Sequence, residues 1–278
     1  MTTLLSALRQ GFAMTVEVVP PAGPDPEEML RRLQTLSALS FNGFSVASNP
    51  VARPRMSALA FAALLQERTG RPAILHCTTR DHNSLSLTGL LWGARAFGIG
   101  TVLAASGDTV ALRERRKVST VRDIDVFGLI RLAREQGLEV GAVIDVRARN
   151  GRLIVDAGRL ERKVAAGAQF AVSQPLFDRE GAESLASLCR AVGIPVLLGI
   201  LPPRTVKHVQ FLNRKVAGIA VPEKVRQRLS AAADPTTEGL VLAREMVGVA
   251  RQLFAGVCLM PPFNRYEILS TLVPGERS

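Results

Sequence analysis

Met14-Thr15-Val16-Glu17-Val18-Val19-Pro20-Pro21 is a short β-branched run that carries one carboxylate and stops at two prolines. Thr and Val fit a pleated surface, and neither proline can donate to a ladder, so the run reads as a buried strand. Burying Glu17 near the end of that strand costs several kcal/mol unless the carboxylate is paired or protonated. Glu17 is therefore either half of a structural ion pair or a proton donor with a raised pKa. The rest of the chain has to choose between them.

Outward from this strand the same unit recurs. Pro24-Asp25-Pro26-Glu27-Glu28 opens a helix, with Asp25 as N-cap, Pro26 in the first helical position and two acids in the first turn. Leu30, Leu33, Leu36 and Leu39 give that helix its apolar face. Further strands are predicted over 43–47, 73–77, 101–105, 140–144, 169–173, 195–201 and 256–260. Helices are predicted over 56–68, 83–97, 123–135, 157–166, 181–192, 206–213 and 236–254, five of them stopped by Gly70, Gly98, Gly137, Gly167 and Gly193. The strands are continuous apolar runs, as parallel strands covered on both faces are. No G-x-G-x-x-G follows the first strand, and a regular eightfold alternation favours an α/β fold of the (β/α)8 TIM-barrel type over an open doubly wound sheet. We expect a single domain over residues 1–278.

Composition narrows the function. Of the 278 residues, 47% are hydrophobic and 21% charged, enough for a sizeable core. No apolar run is long enough to span a bilayer, and residues 1–10 lack the layout of a signal peptide, so the expected location is cytoplasmic. Cys77, Cys189 and Cys258 are scattered, which speaks against structural zinc and against a disulfide framework. Cys77 and Cys258 read as small buried hydrophobes in strands. The formal charge of +11 favours anionic partners. Nucleic acid is not expected, because one Trp, one Tyr and 11 Phe provide little stacking platform. Arg113, Arg115, Arg116 and Lys117 form the densest basic run, read as a solvated loop unless an anionic cofactor uses it.

In a barrel the working residues lie at the C-terminal ends of the strands. Those ends carry Glu17, His76 with Thr78-Thr79-Arg80-Asp81, Ser106-Gly107-Asp108, Asp145, Ser173-Gln174, Pro202-Pro203-Arg204 and Pro261-Pro262-Phe263-Asn264-Arg265. Each alone is an ordinary loop residue, but so many polar groups at one relative position favour a site. No strand-end lysine suits a Schiff base, His76, His82 and His208 do not cluster as metal ligands, and no Ser or Cys nucleophile has a local histidine partner. What remains is a rim suited to a flat heterocycle with polar edges, with the harder chemistry left to a cofactor.

Seven stretches resemble the 5,10-methylenetetrahydrofolate reductase family, in particular the form fused to homocysteine methyltransferase domains in some bacteria. They are Glu17 to Pro21, His76 to Asn83, Gly107-Asp108, Lys163 to Ala168, Ser173 to Asp178, Gly199 to Pro202 and Met260 to Glu267, in family order along almost the whole chain. The resemblance implies a (β/α)8 barrel that binds flavin, usually FAD, takes electrons from NAD(P)H and reduces methylenetetrahydrofolate, with or without a polyglutamate tail, to 5-methyltetrahydrofolate. By resemblance Glu17 is the general acid. Asp108 and Gln174 hydrogen-bond the pterin edge, Arg265 contacts folate, and Phe263 packs on the aminobenzoate ring. His76, Asp108, Asp156 and Lys163 match flavin-contacting positions, Lys163 as a phosphate partner and Asp156 as an acceptor from ribose.

The departures from the family pattern cluster. Ala22 stands where Lys or Arg is usual, Thr109 where Pro follows Gly-Asp, and Arg122 where a tyrosine belongs to the flavin site. Asp145-Val146 replaces Asn-Pro or Tyr-Pro, and Val206 replaces an aromatic that contacts folate and nicotinamide. FMN, a weakly held flavin or flavin-free hydride transfer therefore stay open beside FAD. So does a degenerate folate-binding barrel that works as a subunit of a larger complex. Either a homo-oligomer or a partner subunit is compatible with the chain.

Overall fold

Eight parallel strands close into a barrel in a computed structural model that describes residues 3–108, 110, 118–149, 152–216 and 218–275. They are β1 (Ala13–Val18), β2 (Gly43–Val46), β3 (Ala73–Thr78), β4 (Thr101–Ala105), β5 (Glu139–Val143), β8 (Phe170–Pro175), β9 (Val196–Ile200) and β10 (Gly256–Leu259). The order around the barrel is β1-β10-β9-β8-β5-β4-β3-β2, so β1 lies between β2 and β10. A separate antiparallel pair, β6 (Val146–Arg149) and β7 (Arg152–Val155), interrupts the crossover after β5. The basic run at 113–117 and Thr109 lie outside the described residues.

Ten α-helices are described: α1 (Leu4–Gln10), α2 (Glu27–Gln34), α3 (Ala58–Thr69), α4 (Ser84–Ala96), α5 (Val126–Glu135), α6 (Ala157–Ala165), α7 (Arg179–Val192), α8 (Val206–Lys215), α9 (Glu223–Ala231) and α10 (Pro235–Leu253). The strands have two buried faces. Val16, Val18, Phe44, Val46, Leu75 and Cys77 belong to the layer shared with the helices, which contribute Leu30, Leu33, Phe61, Leu65, Leu87 and Leu91. Ala13, Ile74, Leu103, Phe170, Leu197 and Cys258 form a second, inner cluster. At Gly141 a side chain would lie 2.3 Å from the Phe170 ring, so the missing Cβ leaves the space that ring fills.

Beside the unexpected β6–β7 pair, three features depart from the sequence expectation. Helix α1 was not expected; Leu4 and Leu8 join the inner cluster, and Leu5 N–H donates to Glu139 Oε2 at 3.3 Å, so the helix plugs the barrel at the N-terminal ends of the strands. Helix α9 lies between the two helices expected after β9. Helix α2 begins at Glu27 rather than Pro26, and the Asp25 carboxylate caps it by accepting from Glu27 N–H at 2.9 Å. No helix of the described residues is long and apolar enough to cross a membrane.

Candidate functional site

Glu17 stands one residue before the end of β1, with Ser45 as its cross-strand partner on β2. Its neighbours Val16 and Val18 are fully buried, while Glu17 keeps some accessible surface. Among the described residues its carboxyl makes no hydrogen bond, so nothing compensates the loss of water. Burial, and secondarily the negative charge of Asp108, raise its pKa from 4.5 to about 7. Of the two readings open from the sequence, the ion pair has no partner here; near neutral pH half the population carries a proton.

Asp108 follows Gly107, whose φ of +82° turns the chain beyond β4. A Cβ on Gly107 would lie 2.9 Å from Arg80 Cβ, so both the backbone twist and the close approach call for glycine. The Asp108 carboxylate is exposed, and its Oδ2 accepts from Val51 N–H at 2.5 Å. Val51 itself has φ +50°, in a short turn where Asn49 (φ +43°) and Ala52 (φ +54°) are also left-handed. A β-branched residue there is strained. Arg80 ties the two loops together by donating Nη1 to Asp108 O (3.0 Å) and Nη2 to Asn49 O (3.2 Å), with Asp81 as its ion-pair partner.

Beside the mouth, the loops after β3 and β4 and the start of α5 enclose a cavity of about 620 Å3. Arg80, Arg122 and Arg159 with the acids Asp108 and Asp125 give its wall charge, and Phe127 lines it as well. Arg159 stacks on Phe127 at 5.2 Å and donates to Asp145 Oδ2 (3.0 Å) and Ser106 Oγ (3.3 Å). Thr78 Oγ1, at the end of β3 and outside the cavity wall, is buried without a hydrogen-bond partner. Arg80 is committed to the two loops and to Asp81, so the guanidinium groups of Arg122 and Arg159 are the wall donors suited to a nucleotide phosphate.

The remaining sequence candidates fall in different places. His76 Nε2 lies 2.7 Å from Ser45 Oγ, and burial lowers the histidine to about 4, so the imidazole is neutral. Asp156 caps α6 by accepting from Arg159 N–H at 3.0 Å. Lys163 is buried; its ammonium donates to Val143 O at 2.7 Å and pairs with the half-buried Asp145, and it is absent from the cavity wall. Gln174 occupies a register shift between β8 and β9, where Gly199 N–H donates to Ser173 Oγ at 2.9 Å, and its own amide makes no hydrogen bond among the described residues.

On the other side of β1, Phe263 (φ +57°) and Asn264 (φ +56°) form a second left-handed turn. Phe263 is 68% exposed, 5.1 Å from the His208 ring, with the Arg204 guanidinium 5.7 Å from its face. Arg265 pairs with Glu267 at 2.6 Å. Tyr266 is buried and its hydroxyl donates to Asn264 Oδ1 at 3.1 Å, fixing the turn that displays Phe263. Ser45 and Arg159 were not singled out from the sequence. Strand parity could have marked Ser45 as inward-facing; Arg159 carried no such signal.

The family model for methylenetetrahydrofolate reductase matches residues 3–260. The chain belongs to the methylenetetrahydrofolate reductase family. It is 27% identical over 209 residues to the 5,10-methylenetetrahydrofolate reductase of Pectobacterium carotovorum subsp. carotovorum, a match covering 74% of this chain and 69% of that one. Against the same-named protein of Buchnera aphidicola subsp. Acyrthosiphon pisum it is 25% identical over 217 residues, covering 77% and 72%. In structure it resembles an uncharacterized protein from Clostridium thermocellum that binds two copies of 5-methyl-5,6,7,8-tetrahydrofolic acid. That likeness has a TM-score of 0.67 at 12% identity, over 97% of this chain and 96% of the other, and it concerns the fold. At these identities the family is secure, and the chemistry has to be argued from this chain's own residues.

Proposed function

We propose that the protein reduces 5,10-methylenetetrahydrofolate to 5-methyltetrahydrofolate with NAD(P)H as electron donor. The observation that carries this reading is Glu17, a carboxyl free of hydrogen bonds, held at about 7 in a chain of this family. A carboxylic acid that is half protonated near neutral pH can give its proton to N10 of the folate and open the imidazolidine ring, leaving an electrophilic iminium carbon. Asp108 offers acceptor oxygens and Gln174 both donor and acceptor to the amino-oxo-pyrimidine edge. Pterin binding at Asp108 displaces the Val51 N–H. Arg265, and Arg204 beside Phe263, place positive charge where the glutamate tail of the substrate would run.

The donor set of the 620 Å3 cavity fits a flavin nucleotide, FAD or FMN, with Arg122 and Arg159 toward phosphate. Bound there, flavin would supply two-electron carriage between NAD(P)H and the methylene carbon. A second reading, a folate-binding subunit that holds flavin weakly, is favoured by one observation: Lys163, the expected phosphate partner, is spent on Asp145.

Purified protein is assayed for NAD(P)H oxidation with and without methylenetetrahydrofolate, alongside its visible spectrum. Oxidation that requires the folate supports the reductase. No oxidation with fresh substrate and added FAD or FMN overturns it, and folate binding without turnover selects the second reading.

A further inference from the structure

Helix α4 leaves an uncharged face to solvent. Residues 83–94 contain no Asp, Glu, Lys, Arg or His in a chain whose formal charge is +11. Leu85 is 80% exposed, and Trp92 and Phe97 at the far end are 61% and 58% exposed. Leu64 on the neighbouring α3 is 38% exposed beside them. Next to it α3 and Phe97, just beyond α4, border a groove of about 570 Å3 whose apolar lining of Leu59, Ala60, Ala63, Leu64 and Phe97 is joined by Ser57, Gln66 and Glu67.

We infer that this α3–α4 face is the contact between two copies of the chain. Charge is the first argument. Two chains of +11 repel over most of their surfaces, and the contact that costs least runs through the stretch that carries no charge. Shape is the second. A two-fold contact needs one patch that is complementary to itself. This face has both halves, projecting side chains at Leu85 and Trp92 and a groove alongside them. Between the two projections Gly89 has nothing within 4 Å of the place its Cβ would take, so a partner can come close to the helix backbone.

Area is the third argument. An aromatic side chain presents about 150–250 Å2, so the exposed parts of Trp92, Phe97, Leu85 and Leu64 amount to roughly 400 Å2 per copy. A stable interface buries about 800 Å2 per partner, and the apolar centre alone supplies half of that. Trp92 is also set in position. Its indole N–H donates to Gln136 Oε1 at 2.9 Å, which satisfies its polar atom and leaves the ring faces for a partner. A fixed, satisfied tryptophan is the kind of residue on which interface energy concentrates.

Trp92 is the single tryptophan of the chain, so its emission reports on this face directly. The full chain is followed by sedimentation velocity and by tryptophan emission from nanomolar to tens of micromolar concentration. The expected result is a concentration-dependent dimer whose formation shifts the emission to the blue. Leu85→Glu, at a position whose side chain is mostly in water, and Gly89→Arg, at an open one, are each expected to weaken dimerisation at least tenfold and keep the emission red-shifted. Both retain the wild-type circular dichroism. A monomer at every concentration overturns the inference. So does an oligomer whose mass and emission are unchanged by either substitution.

Discussion

Glu17 and His76 are shifted in opposite senses by the same cause. Burial, helped by Asp108, raises Glu17 from 4.5 to about 7, and burial alone lowers His76 from 6.5 to about 4. For Glu17 the folded chain holds a proton that the unfolded chain has lost, so its effect is full below 4.5 and stability is lost as pH rises to about 7. For His76 the unfolded chain binds the extra proton, so stability is lost as pH falls from 6.5 toward 4. Each slope is about 1.4 kcal/mol per pH unit, and between pH 4.5 and 6.5 the two offset one another. Glu17→Gln is therefore expected to become more stable relative to wild type as pH rises through this range, by about 3 kcal/mol in all. His76→Gln is expected to gain relative to wild type as pH falls. Urea titrations of both variants from pH 4.5 to 8 measure this, and parallel profiles would contradict it. On activity, folate reduction is expected to decline as pH rises through about 7, where Glu17 loses its proton. Asp108→Asn removes the charge that helps hold Glu17 up, so it moves that limb to lower pH as well as weakening folate binding.

The elements were legible to different depths. Continuous apolar runs between glycine and proline stops marked all eight barrel strands, because each strand has two faces to bury. Helix α1 was not legible: seven residues hold no helix by themselves, and this one exists through Leu4 and Leu8 in the barrel floor. The β6–β7 pair had a signal that counting to eight passed over, Asn150-Gly151 between two short runs, the dipeptide favoured in two-residue hairpins. The strained turn after β2 had none. Nothing local asks Val51 for a positive φ; the turn is held by Asp108 and Arg80, residues on other loops. Val51→Gly is expected to relieve about 1 kcal/mol of that strain, read as a higher melting temperature. At the end of β5, the Lys163–Asp145 pair turns a strand-end acid expected on the rim into a structural one. Asp145→Ala leaves a buried ammonium without its acid and is expected to cost about 3 kcal/mol in denaturant unfolding. Adding Lys163→Met to it recovers most of the loss.

At the scale of the whole molecule, the closed order β1-β10-β9-β8-β5-β4-β3-β2 puts Glu17 between two left-handed turns, Val51 with Ala52 after β2 and Phe263 with Asn264 after β10. The barrel thus gathers Glu17, Asp108, Gln174 and the arginine-lined cavity at one end, while α1 closes the other. That convergence was legible, because a barrel sends every strand's C-terminal end to the same rim. Which rim residues remain available to a ligand was not. Gln174 keeps a free amide, whereas Lys163 and Asp145 occupy each other, and only packing decides between those outcomes. The central claim is that Glu17 protonates the folate while electrons arrive by a separate route. Glu17→Gln is to be compared with wild type in two rapid-mixing experiments, NAD(P)H with the flavin-loaded protein and the pre-reduced protein with methylenetetrahydrofolate. The account predicts an unchanged rate in the first and a loss of at least a hundredfold in the second; equal loss in both, or retention of the second, would contradict it.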